Sequence, residues 1–397
     1  MTGRCRACSG AVLHTVLDLG MVPAADDFPP SARPTPAETT HPLRMVRCAQ
    51  CELAQLAEDD TVAAEPRGVE PQALRDQAVD AIARVDAAGL LRGNTIIEFG
   101  SPHGGSWLPL LAERGCTEAD AAQADLVLDC FGIMHEPDQR AAFAARAAAV
   151  APDGVLLLQY HTLAAIVAQR QWNALRHGHF AYYSLHALSS ALADAGMGVT
   201  TAWEFDLYGG TVLVAARRGP VAPDHTVLEI LSRERELITW ESLRRLQRFV
   251  DDHVRALRNW LIDAAAAGER VYAYGAASRA VALLSLAGAH RGLVAGVADV
   301  APAKQGRRMP GTDIPIISPR ELIAAAPDRV LLTLPDLLGE VSSGLPELDG
   351  RWFLDDPRGP RKGGVDDGTP SCYSIPTATP PWAARGQQFT SEGQPHR

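Results

Sequence analysis

Glu98-Phe99-Gly100-Ser101-Pro102-His103-Gly104-Gly105-Ser106 is the stretch on which the fold of this 397-residue chain turns. The apolar run Thr95-Ile96-Ile97 enters it. The amphipathic run Trp107-Leu108-Pro109-Leu110-Leu111-Ala112-Glu113-Arg114 leaves it and stops at Gly115. This reads as strand, glycine loop and helix. Glycines let a backbone approach a ligand closely, and a helix start offers N–H donors. The Glu-x-Gly opening differs from the Gly-x-Gly-x-x-Gly of nicotinamide sites. A plain β–α turn fits the same residues.

The pattern continues outward from this loop. Ala124-Asp125-Leu126-Val127-Leu128-Asp129-Cys130 and Val155-Leu156-Leu157-Leu158-Gln159 are continuous apolar runs, the mark of parallel strands covered on both faces. Met134-His135-Glu136-Pro137-Asp138 begins a helix running to about Val150, and helices are expected over 161–172 and 185–195. Strands at Thr200–Phe205 and Thr211–Ala216 meet through Tyr208-Gly209-Gly210. Alternating strands and helices imply a doubly wound sheet in a domain of residues 67–220. One part is missing. The second strand of such a domain normally carries a ribose-binding acid about 20 residues after the glycine loop. That window, Cys116–Gln123, has no apolar strand and only Glu118 and Asp120 as carboxylates. A strand and helix are therefore expected to be lost from the sheet edge.

Two further clusters carry chemistry. Trp172–Ser184 contains His177, His179, Phe180, Tyr182 and Tyr183, which suits a pocket wall and equally a helix-entry loop with core aromatics. Residues 221–360 read as a smaller α/β domain. Long helices span 224–267, and the strand-to-glycine loop Val271-Tyr272-Ala273-Tyr274-Gly275-Ala276-Ala277-Ser278 follows. Further strands are expected at Leu293–Val297 and Arg329–Leu334. Its loop Lys304-Gln305-Gly306-Arg307-Arg308 is either a diphosphate site or a solvated basic turn. After about Pro360 the chain turns polar, and residues 361–397 are expected to be disordered.

At the N-terminus, Cys5-Arg6-Ala7-Cys8 and Cys48-Ala49-Gln50-Cys51 offer four thiolates, a closed tetrahedral site for structural zinc. The Pro-rich segment between them is expected to be extended loop, so residues 1–66 form a zinc module that depends on its metal. The net charge of −10 argues against a nucleic-acid surface. No apolar run is long enough to span a bilayer, and the start lacks a signal-peptide core. A cytoplasmic, membrane-free protein is expected.

Together these segments resemble one family, the three-domain S-adenosylmethionine (SAM)-dependent sugar C-methyltransferases of antibiotic deoxysugar pathways. The resemblance covers nearly all of residues 4–358. It rests on both Cys-x-x-Cys pairs, Leu17-Asp18-Leu19-Gly20 and Glu98-x-Gly100-Ser101. It also rests on His135 before Pro137-Asp138, His177-x-His179-Phe180 with Tyr182-x-Ser184, Tyr274-Gly275-Ala276-Ala277, and Lys304-Gln305-Gly306-Arg307. It implies an α/β architecture: a zinc module, a truncated Rossmann-like class I methyltransferase domain and a smaller Rossmann-like domain. SAM would lie on Glu98, Gly100, Ser101, Gly104 and His135. A dTDP-linked 4-keto-6-deoxyhexose would contact Tyr274, Lys304 and Arg307. The reaction implied is removal of the C3 proton, acidic beside the C4 ketone, followed by methylation of the enolate. His177, His179, Tyr182 and Tyr208 are the candidate catalytic residues.

This chain also departs from the family. Pro102 and His103 replace Asn and Asp in the cofactor loop, and Thr61–Pro71 lacks the expected tyrosines. The family's His-Gly-Gly, which carries its presumed base, reads Tyr208-Gly209-Gly210 here. Tyrosine, with a pKa of about 10, is a poor base near neutral pH, so His179 or His177 would have to replace it. Three readings stay open: a C-methyltransferase, a non-methylating binder of a nucleotide sugar or partner enzyme, and an epimerase-like enzyme on the same keto sugar.

Overall fold

In the computed structural model the described residues are 3–31, 38–61, 69–100 and 105–363. Ser101 and Gly104, and the tail from residue 364, lie outside them. The chain builds three sheets.

The first sheet belongs to the cysteine module. Strands β1 (Leu13–Pro23), β2 (Thr40–Cys48) and β3 (Ala54–Leu56) run antiparallel, β1 with β2 from Leu13↔Cys48 to Pro23↔Thr40. The segment between the cysteine pairs, expected as extended loop, is therefore largely sheet. The alternation of Val16, Leu17, Leu19, Leu43 and Met45 supplies an apolar face buried against the rest of the protein. A fourth strand comes from residues 181–182, far along the chain.

The second sheet carries the glycine loop. Helix α1 (Gln72–Ala87) leads to β4 (Thr95–Phe99), α2 (Leu108–Ala112), β5 (Thr117–Glu118), β6 (Ala124–Cys130), α3 (Gln139–Ala149) and β7 (Val150–His161). Next come α4 (Leu163–Ala168), the short β8 (Ala181–Tyr182) that completes the first sheet, α5 (Leu185–Asp194), β9 (Met197–Phe205) and β10 (Thr211–Arg218). The strand order is β5-β4-β6-β7-β10-β9, parallel from β5 to β7, with β10 antiparallel to both neighbours. The second strand, expected to be deleted, is present. It is short, exposed and polar, which is why no apolar signal marks it. Thr117 pairs with Thr95 and Glu118 with Ile96. The helix expected over 161–172 is confined to α4 and a 3₁₀ turn at Trp172–Ala174.

The third sheet follows two helices, α6 (His225–Leu237) and α7 (Trp240–Ala266). Leu243, Leu246, Val250, Leu257 and Leu261 form the buried stripe of α7, and Thr239 caps its start by accepting from the Ser242 N–H. Then come β11 (Val271–Tyr274), α8 (Ser278–Leu286), β12 (Val297–Ala298), β13 (Ile316–Ile317) and α9 (Pro319–Ala325). The domain ends in β14 (Arg329–Leu332), α10 (Leu338–Gly344), β15 (Trp352–Leu354) and β16 (Arg361–Lys362). The strand expected at Leu293–Val297 is only Val297–Ala298. The order is β13-β12-β11-β14-β15-β16, parallel except at β16.

Candidate active site and zinc centre

The four cysteine sulfurs Cys5, Cys8, Cys48 and Cys51 lie within 4.8 Å of one another. Cys5 Sγ is 3.5 Å from Cys51 Sγ, and Cys8 Sγ is 3.6 Å from Cys48 Sγ. The Gly10 and Gln50 amides donate to Cys8 and Cys48. Each Cys-x-x-Cys turn thus aims two sulfurs inward and stabilises thiolate with an N–H. Four sulfurs at such spacing fit a closed zinc site with no position left for a reacting water.

The glycine loop leaves β4 at Glu98, whose carboxylate spans it. It accepts from the Trp107 N–H at 2.8 Å and from the Ser106 hydroxyl. Phe99 is stacked by the Arg146 guanidinium, 4.1 Å from the ring centre. Arg146 also pairs with Asp129 at 2.8 Å and Glu136 at 3.2 Å. Asp129 is fully buried and accepts from the Gly132 and Ile133 amides. Burial pushes its carboxyl up, against the opposing pull of Arg146. A side chain at Gly132 would meet Asp129 Oδ1 at 2.9 Å and the Gly100 carbonyl at 3.0 Å, so the loops after β4 and β6 touch. Glu118 ends the neighbouring strand β5 and Asp120 lies just beyond it, both exposed.

The carboxyl edge of this sheet faces a cavity of about 610 Å³ shared by all three parts of the chain. Ala24–Asp26 and Asp59 enter from the cysteine module. Phe131, Met134, His135, His161 and Tyr208 enter from the sheet, Arg176–Phe180 and Tyr182 from the histidine loop before α5, and Tyr274, Gly275, Ser278, Arg279 and Lys304 from the third sheet. Ligands of open α/β sheets bind at this edge. Most of the residues expected to act are therefore brought together: His135, His177, His179, Tyr182, Tyr208, Tyr274 and Lys304. Glu98 and Gly100 lie outside the wall of this cavity, as does Arg307.

Within the histidine loop the geometry is specific. His135 and His179 meet edge to face at 4.3 Å. The Arg176 guanidinium donates to His179 Nε2 at 2.8 Å, and the Arg176 amide donates to the Tyr182 hydroxyl at 3.1 Å. His177 is buried, with Nε2 3.3 Å from the Pro42 carbonyl, and burial lowers its pKa. Tyr182 is fully buried, and this pushes its pKa up. Opposite them, Phe131 (φ 65°) and Tyr208 (φ 55°) both sit in the left-handed region, with rings 6.3 Å apart, edge to face. Strained bulky residues of this kind cluster at functional sites. Burial raises the Tyr208 phenol to about 12, so it stays protonated at neutral pH.

On the third sheet, Lys304 is buried, donates to the Ala276 carbonyl at 2.7 Å and lies over the Phe28 ring. Burial lowers its pKa. Arg307 donates to the Phe28 and Ala303 carbonyls, and Arg308 to Glu38 and the Thr312 carbonyl. This basic loop therefore clasps the N-terminal module. Sequence reasoning missed Arg176, Arg279 and His161. Arg279 stands in the first turn of α8 and donates to Asn173 Oδ1 at 3.2 Å. Its place directly after the Gly275 loop is a signal for an anion contact.

Known sequences place the chain. Three family models match in order: "Putative zinc binding domain" over residues 5–64, "Methyltransferase domain" over 118–202 and "C-methyltransferase C-terminal domain" over 206–350. The C-methyltransferase NovU of Streptomyces niveus is 27% identical over 376 residues, covering 83% of this chain and 88% of that protein. Among solved structures, the magnesium protoporphyrin IX methyltransferase of Synechocystis PCC 6803 has 16% identity and a TM-score of 0.29, over 38% of this chain and 86% of that one. A SAM-dependent methyltransferase of Clostridium acetobutylicum has 10% identity and a TM-score of 0.26, over 36% and 92%. The chain belongs to the SAM-dependent C-methyltransferases that join a zinc-binding, a methyltransferase and a C-terminal domain.

Proposed function

We propose that this protein methylates C3 of a dTDP-linked 4-keto-6-deoxyhexose in deoxysugar biosynthesis, using SAM. The observation that carries the reading is the cavity in which the carboxyl edge of the methyltransferase sheet, the histidine loop and the α8 loop converge. Its volume of about 610 Å³ is in the range of small-ligand sites. Its polar groups sort by domain. His135, His179 and Tyr182 lie on the methyltransferase side, and Tyr274, Arg279 and Lys304 lie on the other.

The donor set suits SAM. Glu98 closes the glycine loop, the Gly100 and Gly132 backbones approach closely, and Glu118 at the end of β5, with Asp120 just beyond it, stands where the ribose hydroxyls of such a cofactor belong. When bound, SAM supplies an electrophilic methyl group. The chain's own groups do the rest. Arg279 and the start of α8 would hold the diphosphate, Tyr182 and His179 would orient the sugar, and the enclosing domains would exclude water from the enolate.

Titration calorimetry of the full chain with SAM and with dTDP tests this reading, followed by mass analysis of the keto sugar after incubation with SAM. Both ligands should bind, and the product should be heavier by one methylene. SAM giving no heat while dTDP binds would reject methylation. Tyr208 in place of a histidine favours a second reading, a non-methylating nucleotide-sugar binder, which predicts that same outcome.

A further inference from the structure

We propose that His161 is the base that removes the C3 proton, an assignment that rests on the keto-sugar reading above. His161 is the last residue of β7, the central strand next to β6 and β10. It lines the cavity at the sheet's carboxyl edge. Its Nε2 is shielded from solvent and has no hydrogen-bond partner among the described residues. That leaves a buried imidazole nitrogen unpaired beside the cavity.

Its neighbours fit the role. His161 pairs in register with Thr211, and the next amide, Thr162 N–H, donates to the Gly210 carbonyl at 3.2 Å. It therefore stands across the strand pair from Tyr208-Gly209-Gly210, where the family resemblance puts a histidine base and this chain has a tyrosine. The rival histidines are placed less well. His179 Nε2 already accepts from Arg176, and His177 is buried against Pro42 and His41 of the cysteine module.

The charge around the ring is consistent with proton uptake that depends on substrate. Burial first, then Arg279 and Arg176, hold the imidazole at about 3, while Gln171 acts the other way. The free ring is thus neutral, and a weak base until a ligand offsets that charge. A nucleoside diphosphate brings negative charge to the same two arginines, and the forming enolate adds more, so the imidazolium is favoured only while substrate is bound. In the step itself the C3–H bond breaks, its electron pair forms the C3–C4 double bond, the ketone oxygen takes the negative charge, and Nε2 holds the proton.

The test is C3 deuterium exchange of a dTDP-4-keto-6-deoxyhexose in heavy water, without SAM, using the full chain. Wild type should exchange, and His161→Ala and His161→Gln should each slow exchange by about 100-fold or more. Both should bind dTDP within about threefold of wild type, and free imidazole should restore exchange to His161→Ala. Exchange that survives in both variants would overturn the assignment while leaving the keto-sugar reading intact. Loss of exchange together with lost dTDP binding and no imidazole rescue would show a structural role and overturn it as well. Wild type that binds dTDP but exchanges nothing would overturn the keto-sugar reading and the base with it.

Discussion

The Arg176 guanidinium donates to Nε2 of His179 at 2.8 Å, and the His179 ring in turn packs edge-on against His135 at 4.3 Å. A ring that accepts at Nε2 beside a fixed cation is neutral and carries its proton on Nδ1. His179 is thereby suited to hold and orient rather than to take a proton. Nitrogen-15 NMR of the imidazoles should show a bare Nε2 at His179. Arg176→Met should release that tautomer and lower methyl transfer on the order of 100-fold by misplacing the histidine loop. An Nε2–H signal in wild type would contradict the pairing.

The cysteine site should hold one zinc per chain, measurable by mass spectrometry of the metal. Cys48→Ser should lose most of it. Because β3 pairs with β8, stripping the metal should also raise amide exchange at Ala181 and Tyr182, far from the cysteines in sequence. Protection at those amides that does not change on chelation would separate the zinc from β8.

Asp129 is buried with Arg146 and two backbone amides. Asp129→Ala leaves the buried Arg146 guanidinium with Glu136 as its remaining carboxylate and strands two N–H groups, so a loss of about 3 kcal/mol in urea unfolding is expected. The double change Asp129→Ala with Arg146→Met should recover part of it. A single variant as stable as wild type would refute the coupling.

Glu234 of α6 accepts from the Thr162 hydroxyl at 3.0 Å and the Leu185 amide at 2.7 Å. Burial raises its carboxyl to about 7. The folded chain therefore keeps a proton that the unfolded chain, with a pKa of about 4.3, gives up earlier. Glu234 contributes no penalty below pH ~4, and a penalty growing to the order of 3 kcal/mol as pH rises past 7. Glu234→Gln should flatten that slope between pH 5 and 8 in denaturant melts. Equal slopes in both proteins would exclude Glu234 as its source.

Gly132→Ala should weaken SAM binding more than it weakens dTDP binding, by about tenfold or more, because the added methyl presses the Gly100 carbonyl at 3.0 Å. Calorimetry with the two ligands separates the effects, and equal losses would point to general unfolding instead.

How much of this was legible in the sequence depended on whether the signal was local. The cysteine pairs, the apolar runs of β6 and β7 and the heptad-like stripe of α7 are short-range patterns, and each could be read directly. Strand β5 could not, because an exposed two-residue edge strand buries nothing and leaves no apolar mark. The fate of Lys304 and Arg307 was hidden for another reason. Their partners, Ala276 and Phe28, lie about 30 and 280 residues away, and only the fold shows that the basic loop clasps a neighbour. His161 was passed over because the apolar run was read as ending at Gln159 and residue 161 as the start of a helix, whereas β7 runs on to His161 at the cavity.

The pairing of Ala54 with Tyr182 has a consequence for synthesis. The cysteine module is synthesised before residue 182, so its sheet stays open at β3 until that residue has emerged. During that interval the metal adds a crosslink to the β1-β2-β3 pairing, and the exposed edge of β3 is available to any passing strand. Zinc capture during translation then protects the nascent chain against mispairing as well as shaping the mature protein.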